Sequence, residues 1–363
     1  MLAQTLVPSM NRNAGWIPAS RHGWKHDSGS RRCVVNQHSF ALRAHAFEWA
    51  VPQLGFRSMK FNSSFWANLL FVLALPLSGF AQEEGGKSFP PVPDESIPRY
   101  DVLRTKKSMV IDGKLDEAVW SKTRPSRKFV DLITGEKTRY GTTVKVLWDP
   151  EHLYLGYEIQ EPNVQAKFTE RDSPIWQEND VEFFIAGKDA YYELEINARG
   201  TLYEGLFVWQ DVYETAGFST IPELDVRREG VRRQKFNGVG LKNHPRGLRW
   251  AFLAWDLPNL KSAVSVQGTL NDPSDNDQGW SVELAIPWSA LKILDRSIPR
   301  KWPPKDGDVW RVDVSRFNQQ KAEGEPVDSG GWAWSHHGIW DSHIPECFTY
   351  LILKDEIVGE AKP

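Results

Sequence analysis

Cysteine is nearly absent from this chain, and so is any excess of positive charge. The 363 residues include two cysteines, Cys33 and Cys347, which excludes a disulfide scaffold and a cysteine-rich metal cluster. Acidic residues outnumber basic ones by 47 to 44. The net charge of −3 therefore gives none of the basic field that nucleic-acid binding usually requires. The chain also contains no internal repeat.

The motifs of common catalytic sites are missing as well. There is no Gly-x-Ser-x-Gly turn, P-loop, Rossmann fingerprint or His-Glu-x-x-His pair. One cysteine near one histidine favours a buried, inert thiol for Cys347 over a nucleophile. The spacing of His336, His337 and His343 fits no zinc pattern, so these histidines are expected in loops at the rim of a site.

Tryptophan, in contrast, is unusually frequent. Seventeen tryptophans accompany 40% hydrophobic and 25% charged residues, a composition typical of a soluble globular protein with a sizeable core. That many indole rings either fill a core or build a stacking surface. The length would suit two domains, but a β-sandwich of about 250 residues is commonly one domain.

Residues 59–81 resemble a secretory signal that begins far inside the chain. Lys60 gives a short basic start, an apolar stretch follows, and small residues precede a cleavage point after Ala81. The apolar stretch is short for a membrane span, which favours cleavage and a secreted or periplasmic protein. Met59 is then the expected translation start, and residues 1–58 are interpreted as spurious upstream sequence or a disordered extension.

The remaining chain divides into a linker, one domain and a tail. Residues 82–98 are rich in glycine, proline and charge, which predicts a flexible linker. Residues 99–356 are predicted to form the domain and residues 357–363 the tail. From residue 82 onward, 36 basic and 45 acidic residues give a net charge of −9.

Alternation of apolar and polar residues dominates the chain from residue 109 onward. Residues 144–148 and 153–159 alternate on either side of a turn, which predicts a hairpin with one wet face. Further strands are predicted at 181–185, 192–196, 201–208, 249–255, 263–269, 280–286, 309–317 and 348–353.

Helical segments are few and short, at residues 116–122 and 288–294. This pattern predicts an all-β fold, an antiparallel β-sandwich of the immunoglobulin or jelly-roll type with a few short helices. Residues 211–248 alternate little and are predicted to form a long excursion from the sandwich. Residues 271–279 resemble a calcium loop but miss the EF-hand register, which favours a solvated turn.

Trp176 differs from the other tryptophans because its neighbours in the chain are polar. Pyranose rings stack on aromatic faces while their hydroxyls need polar partners, so Trp176 is a candidate for sugar binding. The alternative is a tryptophan that caps one end of the sandwich. Asp180 and Glu182 share one face of a predicted strand, about 7 Å apart. Glycosidase carboxyls must flank a bond, so acceptance of a sugar hydroxyl by one of these acids is the more plausible role.

Six motifs, in order, carry a resemblance to a known family. They are Ile111–Trp120, Val146–Leu155, Asp172–Phe184, Tyr192–Asn197, Gly279–Trp288 and His343–Glu346. Together they resemble the family 9 carbohydrate-binding modules over about residues 100–354. The resemblance implies a β-sandwich in which two tryptophans clamp a terminal sugar and carboxylate, amide and arginine side chains bind its hydroxyls.

The resemblance also implies site residues. Trp176, Glu182 and Asn197 fall on the first tryptophan, the carboxylate and the amide. The second tryptophan is expected to be Trp334, with Trp332 and Trp340 as alternatives. The arginine is expected to be Arg171, with Arg199 as the alternative. Asp172 is a further candidate.

The expected function is that of a secreted, non-catalytic carbohydrate-binding protein in glycan catabolism, with an oligosaccharide or polysaccharide as partner. Glycan-degrading enzymes are further partners that the resemblance implies, and structural calcium is the one cofactor. No nucleotide is expected as a cofactor and no nucleic acid as a partner. No membrane association is expected after cleavage of the signal. The alternatives are a glycoside hydrolase or its accessory subunit, a haem-binding redox module, and an unspecified surface-interaction domain. Haem is disfavoured because Met109 is the only methionine after residue 59 that could serve as an axial ligand.

Overall fold

The computed structural model describes residues 89–319 and 328–360, and its regular structure is almost entirely β-strand. The strands are β1 (Arg99–Arg104), β2 (Val130–Asp131), β3 (Thr142–Trp148), β4 (His152–Gln160), β5 (Asp180–Ala186), β6 (Ala190–Asn197), β7 (Leu202–Trp209), β8 (Arg233–Phe236), β9 (Arg249–Phe252), β10 (Lys261–Gln267), β11 (Gly279–Pro287), β12 (Val309–Phe317), β13 (Gly331–Ala333) and β14 (Thr349–Ile357). The single α-helix in this part of the chain is α1 (Ala118–Lys122). Short 3-10 helices span Asp94–Ser96, Ile175–Gln177, Phe218–Thr220, Pro222–Leu224, Ala290–Asp295 and Pro345–Cys347.

Hydrogen bonds join the strands in the order β10-β11-β4-β3-β1-β14-β12-β5-β6-β7-β9-β8, with β13 paired to β12 and β2. The pairs are antiparallel except those of β1, which runs parallel to β14 and β3. The sheet folds over on itself, because the Tyr157 hydroxyl on β4 donates to the Glu182 carbonyl on β5 at 2.9 Å although four strands separate them. Apolar residues of both halves share one core. The predicted all-β sandwich is therefore confirmed, with β1 as the exception to the antiparallel pattern.

The predicted hairpin is present as β3–β4, and the strands predicted at 181–185 and 192–196 form a second hairpin, β5–β6. The Asp149 carboxylate accepts the backbone N–H groups of Glu151 and His152 at 2.8 and 2.7 Å, which fixes the first turn. In β5–β6, Glu182 lies directly opposite Glu195. On β5, alternate residues face the shared core, which leaves Glu182 on the outer face.

Several predicted boundaries differ from the structure. The predicted helix at 288–294 is the 3-10 helix Ala290–Asp295, and the excursion at 211–248 contains β8. The last ten residues of the predicted linker pack on the domain, because Val92 and Ile97 are buried against Ile344 and Cys347. At the other end, Val358 of the predicted tail packs beside Trp120. Apolar side chains therefore extend the domain past both predicted ends.

The signal-like segment 59–81 and residues 1–58 lie outside the described residues. Among the residues that are described, no helix has the length and apolar character needed to cross a membrane.

The loop at 271–279 uses its polar side chains to bind backbone. The Asp277 carboxylate accepts the N–H groups of Val164 and Thr269 at 2.7 and 2.6 Å, and the Asn271 amide oxygen accepts that of Ala166 at 2.8 Å. These bonds join the loop to the neighbouring backbone. Within residues 89–319 and 328–360, no group of three or more His, Cys, Asp or Glu is placed to hold a metal ion. Structural calcium remains a prediction from the family resemblance alone.

Candidate functional site

A groove of about 400 Å³ lies on the outer face of β5, β6 and β7. Its aromatic lining consists of Trp176, Tyr203, Phe207, Phe236, Phe317 and Trp340. Its polar lining consists of Glu182, Glu193, Glu195, Gln234, Asp341, Ser342 and His343. The alternation that buries the inner residues of these strands sends the acidic residues outward into the groove. The result is an aromatic cleft with an acidic floor.

Trp176 forms one wall of the groove. It lies on the 3-10 helix Ile175–Gln177, which the fully buried Ile175 fixes to the core. The indole is 43% exposed, and its ring packs edge-on against Tyr203 with 5.0 Å between ring centres. Trp176 is therefore held in position while much of its surface stays free for a ligand, as its polar surroundings in the sequence suggested.

The second tryptophan of the groove is Trp340. Its ring packs edge-on against Phe317 at 5.1 Å. Gly331 leaves the space for this ring, because a Cβ atom at that position would lie 2.6 Å from it. Trp334, the favoured candidate from the sequence, is instead a core residue, 2% exposed and packed edge-on against Tyr100 at 5.2 Å. Trp332 is also buried in the core, so the alternative Trp340 takes the place predicted for Trp334.

Glu182 lies on the floor of the groove, as predicted for the carboxylate, but it is nearly buried. The Ser315 hydroxyl donates to its Oε2 at 3.1 Å. Burial, together with the nearby Asp313 carboxylate, raises the pKa of Glu182 to about 8. A carboxyl in this condition is protonated at neutral pH in the unliganded protein, so it can donate as well as accept a hydrogen bond.

Two further acids on β6, Glu193 and Glu195, complete the floor. Burial raises the pKa of both carboxyls well above the usual range, and repulsion from neighbouring acids adds to the shift. Neither acid was among the predicted site residues. Their period-two spacing in Tyr192–Asn197, with the hairpin register that places Glu195 opposite Glu182, was the signal that could have found them.

His343 and Arg249 lie at one end of the groove. The His343 Nε2 atom is 3.5 Å from Glu193 Oε1, and burial lowers the pKa of His343 to about 4. The imidazole is therefore neutral near pH 7. The buried Arg249 donates to the Tyr191 hydroxyl at 3.3 Å and to the His343 carbonyl at 3.0 Å.

Asp341 fixes the loop that closes one side of the groove. Its Oδ2 accepts the backbone N–H groups of Val239, Gly240 and Leu241 at 2.9, 3.0 and 2.9 Å. The close turn needs Gly238, whose φ is +87°. These partners are about 100 residues away along the chain, so no local pattern in the sequence could reveal them.

The other predicted site residues do not line the groove. The Asn197 side chain is buried and bonds to the Phe168 carbonyl at 3.0 Å and to Glu178 at 2.7 Å. Arg171 pairs with Glu204 and, at 2.9 Å, with Asp256.

Two more candidates, Asp172 and Arg199, also have a local structural role and do not line the groove. Asp172 occupies a turn with φ of +60°, and Arg199, the alternative arginine, donates to the Ala166 carbonyl at 2.9 Å. The family resemblance implied a shared sugar site for them, but both lie in turns outside the strands, and neither lines the groove. Cys347 is buried, as predicted, and burial raises the pKa of its thiol to about 12.

Comparison with known proteins finds a family likeness over part of this chain. Residues 111–204 match the sequence model of the Carbohydrate family 9 binding domain-like family. The match runs from the opening motif into β7 and includes four of the six predicted motifs, which confirms the resemblance over that segment. Trp176 and the acids of β5 and β6 belong to the family 9-like segment, whereas Trp340 and Asp341 lie outside it. No curated protein sequence matches the chain.

Solved structures give more distant likenesses. A Bacteroides uniformis candidate carbohydrate-binding protein has a TM-score of 0.45 at 17% identity, over 71% of this chain and all of that one. A family 9 carbohydrate-binding module of Caldicellulosiruptor kristjanssonii, in complex with cellotriose, has a TM-score of 0.38 at 14% identity over 73% of this chain and 98% of its own. The same organism's module in complex with glucose has a TM-score of 0.37 at 14% identity, over 73% and 100%. With TM-scores below 0.5, none of these carries weight for the function of this chain.

Proposed function

We propose that this chain is a secreted carbohydrate-binding protein that acts in glycan catabolism and binds a sugar in the groove without cleaving it. The observation that carries the proposal is the pairing of Trp176 and Trp340, which two distant segments bring to one polar groove. A cleft of about 400 Å³ has room for one or two sugar rings. The match of residues 111–204 to a carbohydrate-binding family supports the same function.

Substitution of either tryptophan tests the proposal. Trp176→Ala and Trp340→Ala should each weaken oligosaccharide binding by about 2 kcal/mol or more, the usual contribution of an aromatic anchor. Isothermal titration calorimetry against a panel of neutral and charged oligosaccharides measures the loss. Trp176→Ala should lower the melting temperature less than truncation of a fully buried tryptophan, because Trp176 is 43% exposed.

A matched control is Trp302→Ala, which removes a partly exposed tryptophan that packs on Trp310 outside the groove. Binding should survive in this variant. Unchanged affinity in both groove variants, or an equal loss in the Trp302 variant, would refute the assignment of the groove.

Export through the signal-like segment 59–81 is part of the proposal. Its support is the short basic start, the apolar stretch and the small residues before Ala81. N-terminal sequencing of the exported protein should begin near Gln82. Recovery of residues 1–58 on that protein would contradict this step.

A glycoside hydrolase is the second candidate, and the raised pKa of Glu182 is the observation that favours it, because a glycosidase general acid needs such a shift. The acids nearest to Glu182 lie beside it on one floor, however, and do not flank a bond. Release of reducing sugar by the unmodified chain, lost in Glu182→Gln, would favour this candidate over simple binding.

A further inference from the structure

The groove floor gathers more carboxyl groups than binding a neutral sugar requires. Glu182 lies directly opposite Glu195 across the β5–β6 pair, and Glu193 lies two residues before Glu195 on the same face. Asp180 occupies the corresponding position two residues before Glu182. Like charges placed directly across a sheet destabilise it. Gly205 is the partner of Glu193 on β7, so no side chain from that position covers this acid.

These carboxyls are buried and lack positively charged partners within the sheet. Glu182, Glu193 and Glu195 are 5%, 3% and 3% exposed. Across residues 89–319 and 328–360, the one basic group within ion-pair distance of any of the three is the neutral His343. Oε2 of Glu195, a residue that lines the groove, is buried and has no hydrogen-bond partner. A buried carboxylate left in this way costs free energy that a bound partner would recover.

Arg249, the buried cation at this end of the groove, does not supply that partner. Its guanidinium lies 4.9 Å from the ring centres of both Trp209 and Phe236, and it donates to Tyr191 and to the His343 carbonyl. It does not line the groove. A positive group that stabilises the ionised form of these acids must therefore come from the ligand.

The groove is shaped for an organic cation and not for a bare metal ion. The described acids are not gathered into a metal-binding group of three or more. The walls are aromatic, and aromatic faces attract both sugar rings and ammonium groups. A saccharide that carries an ammonium group matches the floor and the walls together.

We propose that the groove binds an amino sugar in its protonated form, with the ring against Trp176 and Trp340 and the ammonium group over Glu193 and Glu195. This inference rests on the proposed function and names its ligand class. Glu182 would lie within the same floor as a third acceptor.

Three oligosaccharides of equal length and linkage test the inference. They carry an ammonium, an acetamido or a hydroxyl group at C2: a β-1,4-linked glucosamine oligomer, its N-acetylated form and the corresponding cello-oligosaccharide. Calorimetry is run in mild acid, where the ligand amine is protonated, and near pH 8. In mild acid, binding of the ammonium group is expected to release a proton from the floor, because the pKa values of its carboxyls are raised. The glucosamine oligomer should bind roughly tenfold more tightly than either neutral oligomer, as expected for a charge-assisted hydrogen bond. Added salt should reduce this advantage.

Variants locate the effect on the floor. Glu193→Gln and Glu195→Gln keep the shape of the side chain and should each reduce the preference for the glucosamine oligomer several-fold, with neutral oligomers little affected. Glu158→Gln is the matched control, because Glu158 is an exposed acid on β4 outside the groove. It should keep the full preference. Melting curves check that each variant is folded.

The outcomes separate this inference from the proposed function. Equal affinity for the three oligomers in the unmodified chain would overturn the inference and leave sugar binding intact. A preference that persists in both Gln variants would also overturn it. Failure of every oligosaccharide to bind would refute both. Because the decisive comparison uses the unmodified chain, a variant that does not fold cannot hide the result.

Discussion

A tryptophan or a carboxylate in this protein has its role set by the face of the strand or turn on which it lies. Trp176 and Trp334 were both candidates for the sugar site, but one lies on a short 3-10 helix at the groove and the other is buried in the core, against Tyr100. Asn197 lies on the groove side of β6, yet it bonds to Glu178 and to loop backbone and not to the groove. Polar neighbours in the sequence identified Trp176. They could not identify Trp340, whose position depends on the space left by Gly331.

Asp341 is the single residue on which the closing loop most depends. Asp341→Ala leaves the N–H groups of Val239, Gly240 and Leu241 without their acceptor. We expect a loss of about 1–3 kcal/mol in the free energy of unfolding, the usual cost of buried groups left unbonded. Sugar affinity should fall as well, because Val239 lines the groove. Chemical denaturation and calorimetry measure the two effects.

Limited proteolysis adds a local readout for this variant, since cleavage near residues 238–241 should become faster. Asp225→Ala is a suitable control, because that carboxylate pairs only with the neighbouring Arg227 in an exposed turn. An Asp341→Ala protein with unchanged stability and affinity would show that the loop is held by other contacts.

At the scale of strands and loops, the sequence predicted those elements whose signal is local. Period-two alternation located β3, β4, β5, β6 and β12, because one face of each strand packs on the core. The predicted strand at 309–317 has the same bounds as β12. The strands β1, β2, β8 and β13 were missed. Three of them, β2, β8 and β13, have two to four residues, which are too few to establish a period.

The groove itself depends on contacts that local patterns do not encode. The excursion at 211–248 was expected to be irregular, and it supplies Gln234, Phe236 and Val239 to the lining. The return segment after β13 supplies Trp340 and Asp341. These two segments are about 100 residues apart in the chain, and contacts between them close one side of the groove. The acidic floor was therefore within reach of the sequence, and Trp340 was one of three alternatives, whereas the position of the loop at residues 238–241 could not be predicted.

For the molecule as a whole, the acidic floor makes stability depend on pH. Burial raises the pKa of Glu182 from its ordinary value of 4.5 to about 8, and the pKa values of Glu193 and Glu195 are also raised. Between these limits the folded protein holds protons that the unfolded chain releases. The free energy of unfolding should therefore fall as pH rises from about 6 to about 8, on the order of 2 kcal/mol.

His343 acts in the opposite sense at lower pH. Its pKa is lowered from 6.5 to about 4. As pH falls through that range, the unfolded chain binds a proton at this histidine and the folded protein does not. The contribution of the neutral imidazole to the free energy of unfolding is therefore lost. Stability should thus be greatest in mildly acidic solution. Chemical denaturation between about pH 4 and pH 8 measures the loss of stability on both sides of this maximum.

Glu193→Gln and Glu195→Gln together should reduce the fall in the free energy of unfolding at higher pH, whereas the exposed control Glu158→Gln should not. A free energy of unfolding that rises from about pH 6 to about pH 8 would mean that the floor is already ionised in the folded protein, with its charge compensated by groups other than a ligand.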